Sequence, residues 1–444
     1  MNIKRLQTSA PSFSADLEAL LYWDTSTDSE VEQVVLSVIG EVRSRGDAAL
    51  LEYTQKYDQL GAGAVTDLEV TPTACNEALA RIGEDERHSL NQAAARIRRY
   101  HEHQLEGSWS FTDELGNQLG QRISPLQRVG VYIPGGQASY PSSVLMTLIP
   151  AKVAGVEDLV VTLPTPGGVR NDVVLAALAI AGADKVFTVG GAQAIAALAY
   201  GTETIKRVDK IVGPGGAFVT AAKRLVFGQV GIDILAGPSE VLVIADGTSD
   251  PEWTALDLFS QAEHDAAAQA LLLSPESAFL DAVEAEMTNL IEMQPRAETI
   301  RASLNGRGAM IETKDLAEAC EIANQIAPEH LELHVSDPDS LLASVRHAGA
   351  IFVGAHAGET LGDYAAGPSH VLPTFGTAKF ASPLGVYDFQ KRSSIIRMSA
   401  QGAAGLADVV VPIARSEGLH AHASAAMARA HAFNKAASTS KKTD

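Results

Sequence analysis

Cysteine is nearly absent from this chain: among 444 residues only Cys75 and Cys320 occur. They can build neither a disulfide framework nor a CxxC site, and a reducing cytoplasm is the expected compartment. Neither lies in a glycine-rich turn or beside a clear cationic partner, which disfavours a cysteine nucleophile. Basic charge is scarce as well. The 34 Lys+Arg face 54 Asp+Glu, a net charge of −20, and the basic runs Arg96, Arg98, Arg99 and Lys391, Arg392 are too short to track phosphates. No nucleic-acid partner and no membrane surface are expected. Long apolar runs are missing too, since Val173 to Ala183 falls short of the about 20 residues a bilayer span takes. The start, MNIKRLQTSAPSFSADLEALL, has no continuous apolar stretch ahead of its acidic residues, so no secretory leader is expected. What remains is 46% hydrophobic and 20% charged, an ordinary globular balance that can bury a sizeable core. At roughly 150 residues per domain, about two to four domains follow.

From Ser29 to about Tyr57, Val31, Val34, Val35, Val38, Ile39 and Val42 recur with a helical period, punctuated by Gly46. A second helical stretch runs from about Pro72 to Glu106. Beyond Asp113 the pattern changes. Short β-rich runs (VGVYI, DLVVTL, KVFTVG, KIVG, EVLVIA) alternate with Ala-rich helical stretches, the signature of parallel βαβ units. A similar series follows, with strands ALLLSP, ELHV and GAIFVG among helices, as in a second α/β unit. After about Phe380 come a Gly- and Ser-punctuated stretch, a helix from about Ser416 to Lys435, and a tail, ASTSKKTD, expected to be disordered. That terminal helix cannot bury an apolar face alone, so it is expected to dock on another domain or subunit.

Four glycine turns are expected after strands: Pro134-Gly135-Gly136, Gly190-Gly191-Ala192-Gln193, Gly213-Pro214-Gly215-Gly216 and Gly237-Pro238-Ser239. Turns of this kind aim backbone N–H groups at an anionic ligand. The dinucleotide fingerprint GxGxxG is nevertheless absent, because Phe218 stands where its third glycine would fall. One such turn alone is more often structural, and four in one domain point to a ligand crevice at the carboxyl ends of the strands.

Gln261 and His264 lie three apart on a helical stretch and share a face. Pro328-Glu329-His330, the loop from Leu361 through Asp363 to His370, and Glu417-Gly418-Leu419-His420-Ala421-His422 each set a histidine near a carboxylate. Such donors suit zinc, but their scatter leaves the ligands unassigned, and any one of these histidines also reads as structural. Glu329 beside His330 is equally an acid/base pair or a helix start whose carboxylate favours the dipole.

Together, VGVYIPGGQASYPSSVLMTLIPAKVAGV, VGGAQAIAALAYGT, KIVGPGGAFVTAAK, GIDILAGPSEVLVIAD, DLFSQAEHD, IAPEHLEL, GDYAAGPSHVLPT and VYDFQKRSS resemble the histidinol dehydrogenase family, in its motif order, from the N-terminal helix to about His422. The resemblance implies an α/β fold of two incomplete Rossmann-like domains with parallel sheets plus small N- and C-terminal segments. The expected layout is an arm at 1–28, a metal and substrate domain at 29–110 with 240–380, an NAD domain at 111–239, and a segment at 381–444 docking on the partner of a homodimer. It also implies NAD-dependent oxidation of L-histidinol through L-histidinaldehyde to L-histidine, with one zinc per subunit. The zinc ligands would be Gln261, His264, Asp363 and His422, the last from the partner subunit. Glu329 and His330 would be the acid/base residues, with Glu417, Ser239 and His370 around the substrate. Tyr132, Gln193 and Gly216 match positions that contact NAD. Gly216 departs from the usual Asn there, and Ser369 stands where Asn or Thr is common.

A same-fold zinc and NAD dehydrogenase of another small polar alcohol, such as a sulfonated propanediol, conflicts with Glu417, which would repel a sulfonate. A zinc hydrolase activating water through Glu329 or Glu263 leaves the glycine turns without a use. A two-lobed binding protein leaves the His-carboxylate pairs without one.

Overall fold

A computed structural model describes residues 2–22, 29–135 and 140–440 of the chain. Gly136 of the first glycine turn and residues 441–444 of the tail lie outside the described residues. Fifteen strands run in chain order: β1 Lys4–Gln7, β2 Glu69–Val70, β3 Trp109–Thr112, β4 Gln118–Pro125, β5 Arg128–Tyr132, β6 Asp158–Thr162, β7 Lys185–Phe187, β8 Lys210–Val212, β9 Gly231–Ile232, β10 Glu240–Ala245, β11 Gln269–Ser274, β12 Ala309–Glu312, β13 His330–His334, β14 Ala350–Val353 and β15 Gln390–Arg397. They form two six-stranded sheets and one three-stranded sheet.

The first sheet has the order β2-β7-β6-β5-β8-β9 and the second β1-β12-β11-β10-β13-β14. Stripped of β2 and β1, each reads 3-2-1-4-5 in its own strand count. All neighbours are parallel except β2, which runs antiparallel to β7. The chain thus builds the same doubly wound topology twice, as the two strand series lead one to expect. Strand order reverses between β5 and β8 in one sheet and between β10 and β13 in the other, and doubly wound sheets hold ligands at such reversals.

Both faces of each sheet are covered, which explains why the strands read as continuous apolar runs. In β10, Val241, Val243 and Ala245 enter the core on one face while Leu242 and Ile244 enter that on the other. In the first sheet Val129 and Val131 point to one core and Tyr132 to the opposite one.

The segment expected to join 240–380 packs elsewhere. The helices Ser29–Arg45 and Asp47–Asp58 bury Val35, Val38, Val42 and Leu50 with Ile195, Leu198 and Val219 on the first sheet. The partners Gly191–Tyr200 and Ala217–Val226 are rich in alanine, and small side chains allow an amphipathic stripe to approach closely. The stretch breaks at Gly46, where φ is 55°, a left-handed conformation that glycine adopts without strain. Likewise, Pro72–Arg81 and Glu84–Glu102 place Cys75, Ala78 and Ile97 in the core on the other face. The N-terminal arm supplies β1 to the edge of the second sheet, and Leu17 and Leu20 to its core.

The chain divides into two compact units, one formed by Met1–Gln104 with Leu126–Phe389 and the other by Leu105–Pro125 with Gln390–Asp444. Leu105–Pro125 is therefore separate from the expected 111–239 domain. The second unit pairs β15, β4 and β3 antiparallel and continues into the helices Ala400–Ser416 and His420–Ser440. Asn117 organises it: its side-chain oxygen accepts from the Ser399 N–H at 3.1 Å while its amide donates to Asp113 at 2.9 Å. Among the described residues no helix is long and apolar enough to cross a membrane.

Candidate active site

In the first unit, a cleft of about 870 Å³ is bordered by Pro134, Pro214–Gly216, Ser239, His264, Glu329, His330, Asp363 and His370. Pro134 follows β5 and Gly213–Gly216 follows β8, so the cleft opens at the strand reversal of the first sheet. Gly213 has φ 110°, and a Cβ there would collide with the Tyr132 carbonyl; only glycine permits this crossing. Gly216 N-caps the helix Ala217–Val226 with ordinary φ −67° and open space where a side chain would extend. Gly237-Pro238-Ser239 was expected to follow a strand, but it immediately precedes β10, bringing Ser239 to the amino end of the second sheet.

The turn after β8 is held by a buried ion pair. Lys223 Nζ contacts Asp233 and donates to the Gly213 carbonyl at 2.9 Å. Asp233 in turn accepts the Gly213 N–H at 2.7 Å. Tyr132 and Gln193 are buried beside the Gly190-Gly191 turn, 4% and 1% exposed. The Gly191 N–H donates to the Tyr132 hydroxyl at 3.2 Å, and burial pushes that phenol up to about 12.

His330 opens β13, and alternation sends His330, Glu332 and His334 to one face. The face is covered by the helix Pro251–Ala262, whose Asp257 and Gln261 lie one turn apart. His330 Nδ1 lies 3.0 Å from both the Glu240 carbonyl and the Gln261 side-chain amide, and its Nε2 lies 3.5 Å from Asp363 Oδ1. Burial lowers the pKa of His330, but Glu359, Glu329 and Asp363 outweigh it and hold the imidazole well above its ordinary value. Glu329 Oε2 accepts the Glu240 N–H at 2.9 Å. Burial drives Glu329 to about 8, opposed in part by His330.

His264, Glu359 and Asp363 offer ligand atoms within 4.8 Å of one another. With its nitrogen toward the surrounding acceptors, the Gln261 amide donates to Glu359 at 3.2 Å, so its oxygen faces the other way and can act as a ligand. His370 Nδ1 pairs with the Asp363 carbonyl at 3.0 Å, and its Nε2 lies 3.2 Å from Ser143 Oγ. Burial raises Glu359 to about 8, with Asp363 and Asp257 adding to it, and burial raises Glu240 to about 7. An imidazole, an amide oxygen and carboxylates are a donor set that suits zinc. Glu359 and Glu240 escaped the sequence reading. Their signals were a Glu one helical turn before Asp363 and a lone charge opening an otherwise apolar strand.

The sequence profile of the histidinol dehydrogenases matches residues 23–430. The chain belongs to the histidinol dehydrogenase family. It is 59% identical to the histidinol dehydrogenase of Chromobacterium violaceum over 425 residues, 96% of this chain and 98% of that one. With the histidinol dehydrogenase of Pseudomonas aeruginosa it shares 58% over 424 residues, 96% of each chain. The crystal structure of histidinol dehydrogenase from Elizabethkingia anophelis superposes with a TM-score of 0.92 at 32% identity, covering 97% of this chain and 99% of that one. The chain is thereby an oxidoreductase of the histidinol dehydrogenase family, with the α/β fold expected of it. Of the residues matched to the family pattern, Ser239, His264, Glu329, His330, Asp363, His370 and Gly216 border the one cleft, and Gln261 touches His330 and Glu359. Glu417 and His422 belong to the second unit, between and within its two long helices.

Proposed function

We propose that the protein oxidises L-histidinol to L-histidine through bound L-histidinaldehyde, reducing two NAD⁺, as a cytoplasmic homodimer with one zinc per subunit. The observation that carries this reading is the convergence on one cleft of the glycine turn after β8, the Glu329–His330 pair and the His264–Asp363 group.

Gln261, His264 and Asp363, with His422 from a second copy, would hold the zinc; Tyr132, Gln193 and Gly216 would bind the nicotinamide cofactor. A zinc held there would supply an anchor that orients the substrate, and a nicotinamide cofactor would supply the hydride acceptor for each half-reaction. The chain's own residues supply the proton chemistry. His330, held at Nδ1 beside the Glu240 carbonyl, would turn Nε2 to the substrate hydroxyl and, in its neutral form, take its proton as the alcohol becomes the aldehyde. Glu329, anchored by the Glu240 N–H, removes a proton from the water that adds to the aldehyde. The resulting hydrate anion would lose a second hydride and a proton to give the carboxylate. Glu417, Ser239 and His370 would complete the substrate contacts.

The test supplies limiting L-histidinol and excess NAD⁺ to zinc-loaded protein, counts NADH and identifies the product. Two NADH per histidinol with histidine as product is the expected result. No NADH from histidinol, with metal bound and the fold intact, favours another small polar alcohol on the same machinery.

A further inference from the structure

Deeper along the face of β13 lies a group that the oxidation of the alcohol does not use. Glu332 and His334 follow His330 at two-residue steps, and Asp257 stands one helical turn before Gln261 on the covering helix. The two elements therefore carry a second set of donors in register with the first, displaced by roughly 7–13 Å along the strand at about 3.3 Å per residue.

The side chains of Glu332 and His334 are 0% exposed, and His334 Nε2 lies 3.4 Å from Glu332 Oε2. Asp257 Oδ2 is 3.9 Å from the same Nε2, on a side chain 17% exposed. Ligand atoms of the three residues all fall within 4.8 Å of one another. Glu332 Oε1 accepts the Glu359 N–H at 2.7 Å. The other oxygen, Oε2, and both ring nitrogens of His334 have no hydrogen-bond partner among the described residues.

Buried polar atoms that make no hydrogen bond are costly, and those of native proteins call for a partner. Two carboxylates and an imidazole carry a net negative charge that burial penalises unless a cation or a shared proton offsets it. A tetrahedral ion with bonds of about 2.1 Å separates its ligands by roughly 3.4 Å, the spacing of Glu332 Oε2 from His334 Nε2, while Asp257 Oδ2 stands at 3.9 Å. The cluster also stands toward the carboxyl end of β13, beside β10, where the strand order of the second sheet reverses.

We propose that Asp257, Glu332 and His334 form a second divalent-cation site, distinct from the His264–Asp363 group. Its one nitrogen and two carboxylate donors suit zinc or manganese. Through the Glu359 N–H, the ion held there would set the position of Glu332 and of the segment that carries Glu359 and Asp363.

Untagged full-length protein is stripped with a chelator, dialysed, and titrated with Zn²⁺ by calorimetry, with bound metal counted by mass spectrometry. The wild type is expected to take up two equivalents per subunit. His334→Ala and Asp257→Ala should each take up one, and His264→Ala should also take up one. Asp257→Ala, at the less buried edge, provides the reading if His334→Ala does not accumulate as folded protein. One equivalent in the wild type, lost in His264→Ala and retained in Asp257→Ala, overturns the second site and leaves the catalytic assignment standing. Two equivalents in His264→Ala with one in Asp257→Ala would do the reverse.

Discussion

At the residue scale, the proposed chemistry divides two proton transfers between neighbouring side chains. His330 and Glu329 are adjacent in sequence, yet both are anchored by Glu240, one through its carbonyl and the other through its N–H. His330→Asn is expected to abolish alcohol oxidation while histidinaldehyde is still oxidised. Glu329→Gln should slow the aldehyde half by roughly 10²–10⁴-fold and spare the first oxidation. Single-turnover assays from each substrate separate the two, and equal loss of both halves in both variants would refute the division. A general base works deprotonated, so a carboxyl raised to about 8 makes the aldehyde half speed up as pH rises through that value. This limb should vanish in Glu329→Gln. Gly216 is a second test. Its open surroundings and ordinary φ admit Asn without strain, and a hydrogen bond worth about 0.5–1.5 kcal/mol should lower the KM for NAD⁺ a few-fold in Gly216→Asn with kcat unchanged. An unaltered KM would show that no cofactor group reaches this position.

At the element scale, short connections carry the site. The turn after β8 owes its shape to Lys223 and Asp233, whose side chains are both 2% exposed. Lys223→Met strands a buried carboxylate and is expected to cost about 3–5 kcal/mol in urea unfolding. Adding Asp233→Asn, which removes the stranded charge but keeps an acceptor for the Gly213 N–H, should restore much of that loss. A double variant as unstable as the single one would show that the pair is not the source. The parallel strands were legible because two-sided burial makes them continuous apolar runs: VGVYI, KIVG and EVLVIA became β5, β8 and β10. Strand β1 was not, since KRLQ is short, polar and exposed along much of its length, and only its edge pairing with β12 makes it a strand. The stretch from Ser29 to Tyr57 showed its apolar stripe but not the sheet it would cover, because a stripe specifies burial without specifying a partner.

For the whole molecule, the proposed dimer would make the second unit part of the catalyst. An inactive His422→Ala subunit mixed with an inactive His264→Ala subunit should regain some activity once heterodimers form, since one of the two sites then has every ligand. No recovery in a verified heterodimer would rule out sharing. Chelation should stop turnover while the circular dichroism of the protein stays native, because the two sheets have apolar cores of their own. From sequence alone came the α/β class, the two strand series, the acidic charge, and the family through its motifs, since these depend on local pattern and residue type. The tertiary structure alone decided that residues 29–104 cover the first sheet, that Glu240 and Glu359 stand beside Glu329 and His330, and that Asp257, Glu332 and His334 meet. Those facts depend on which faces pack together, and a face acquires its neighbours only when the chain has closed around its cores.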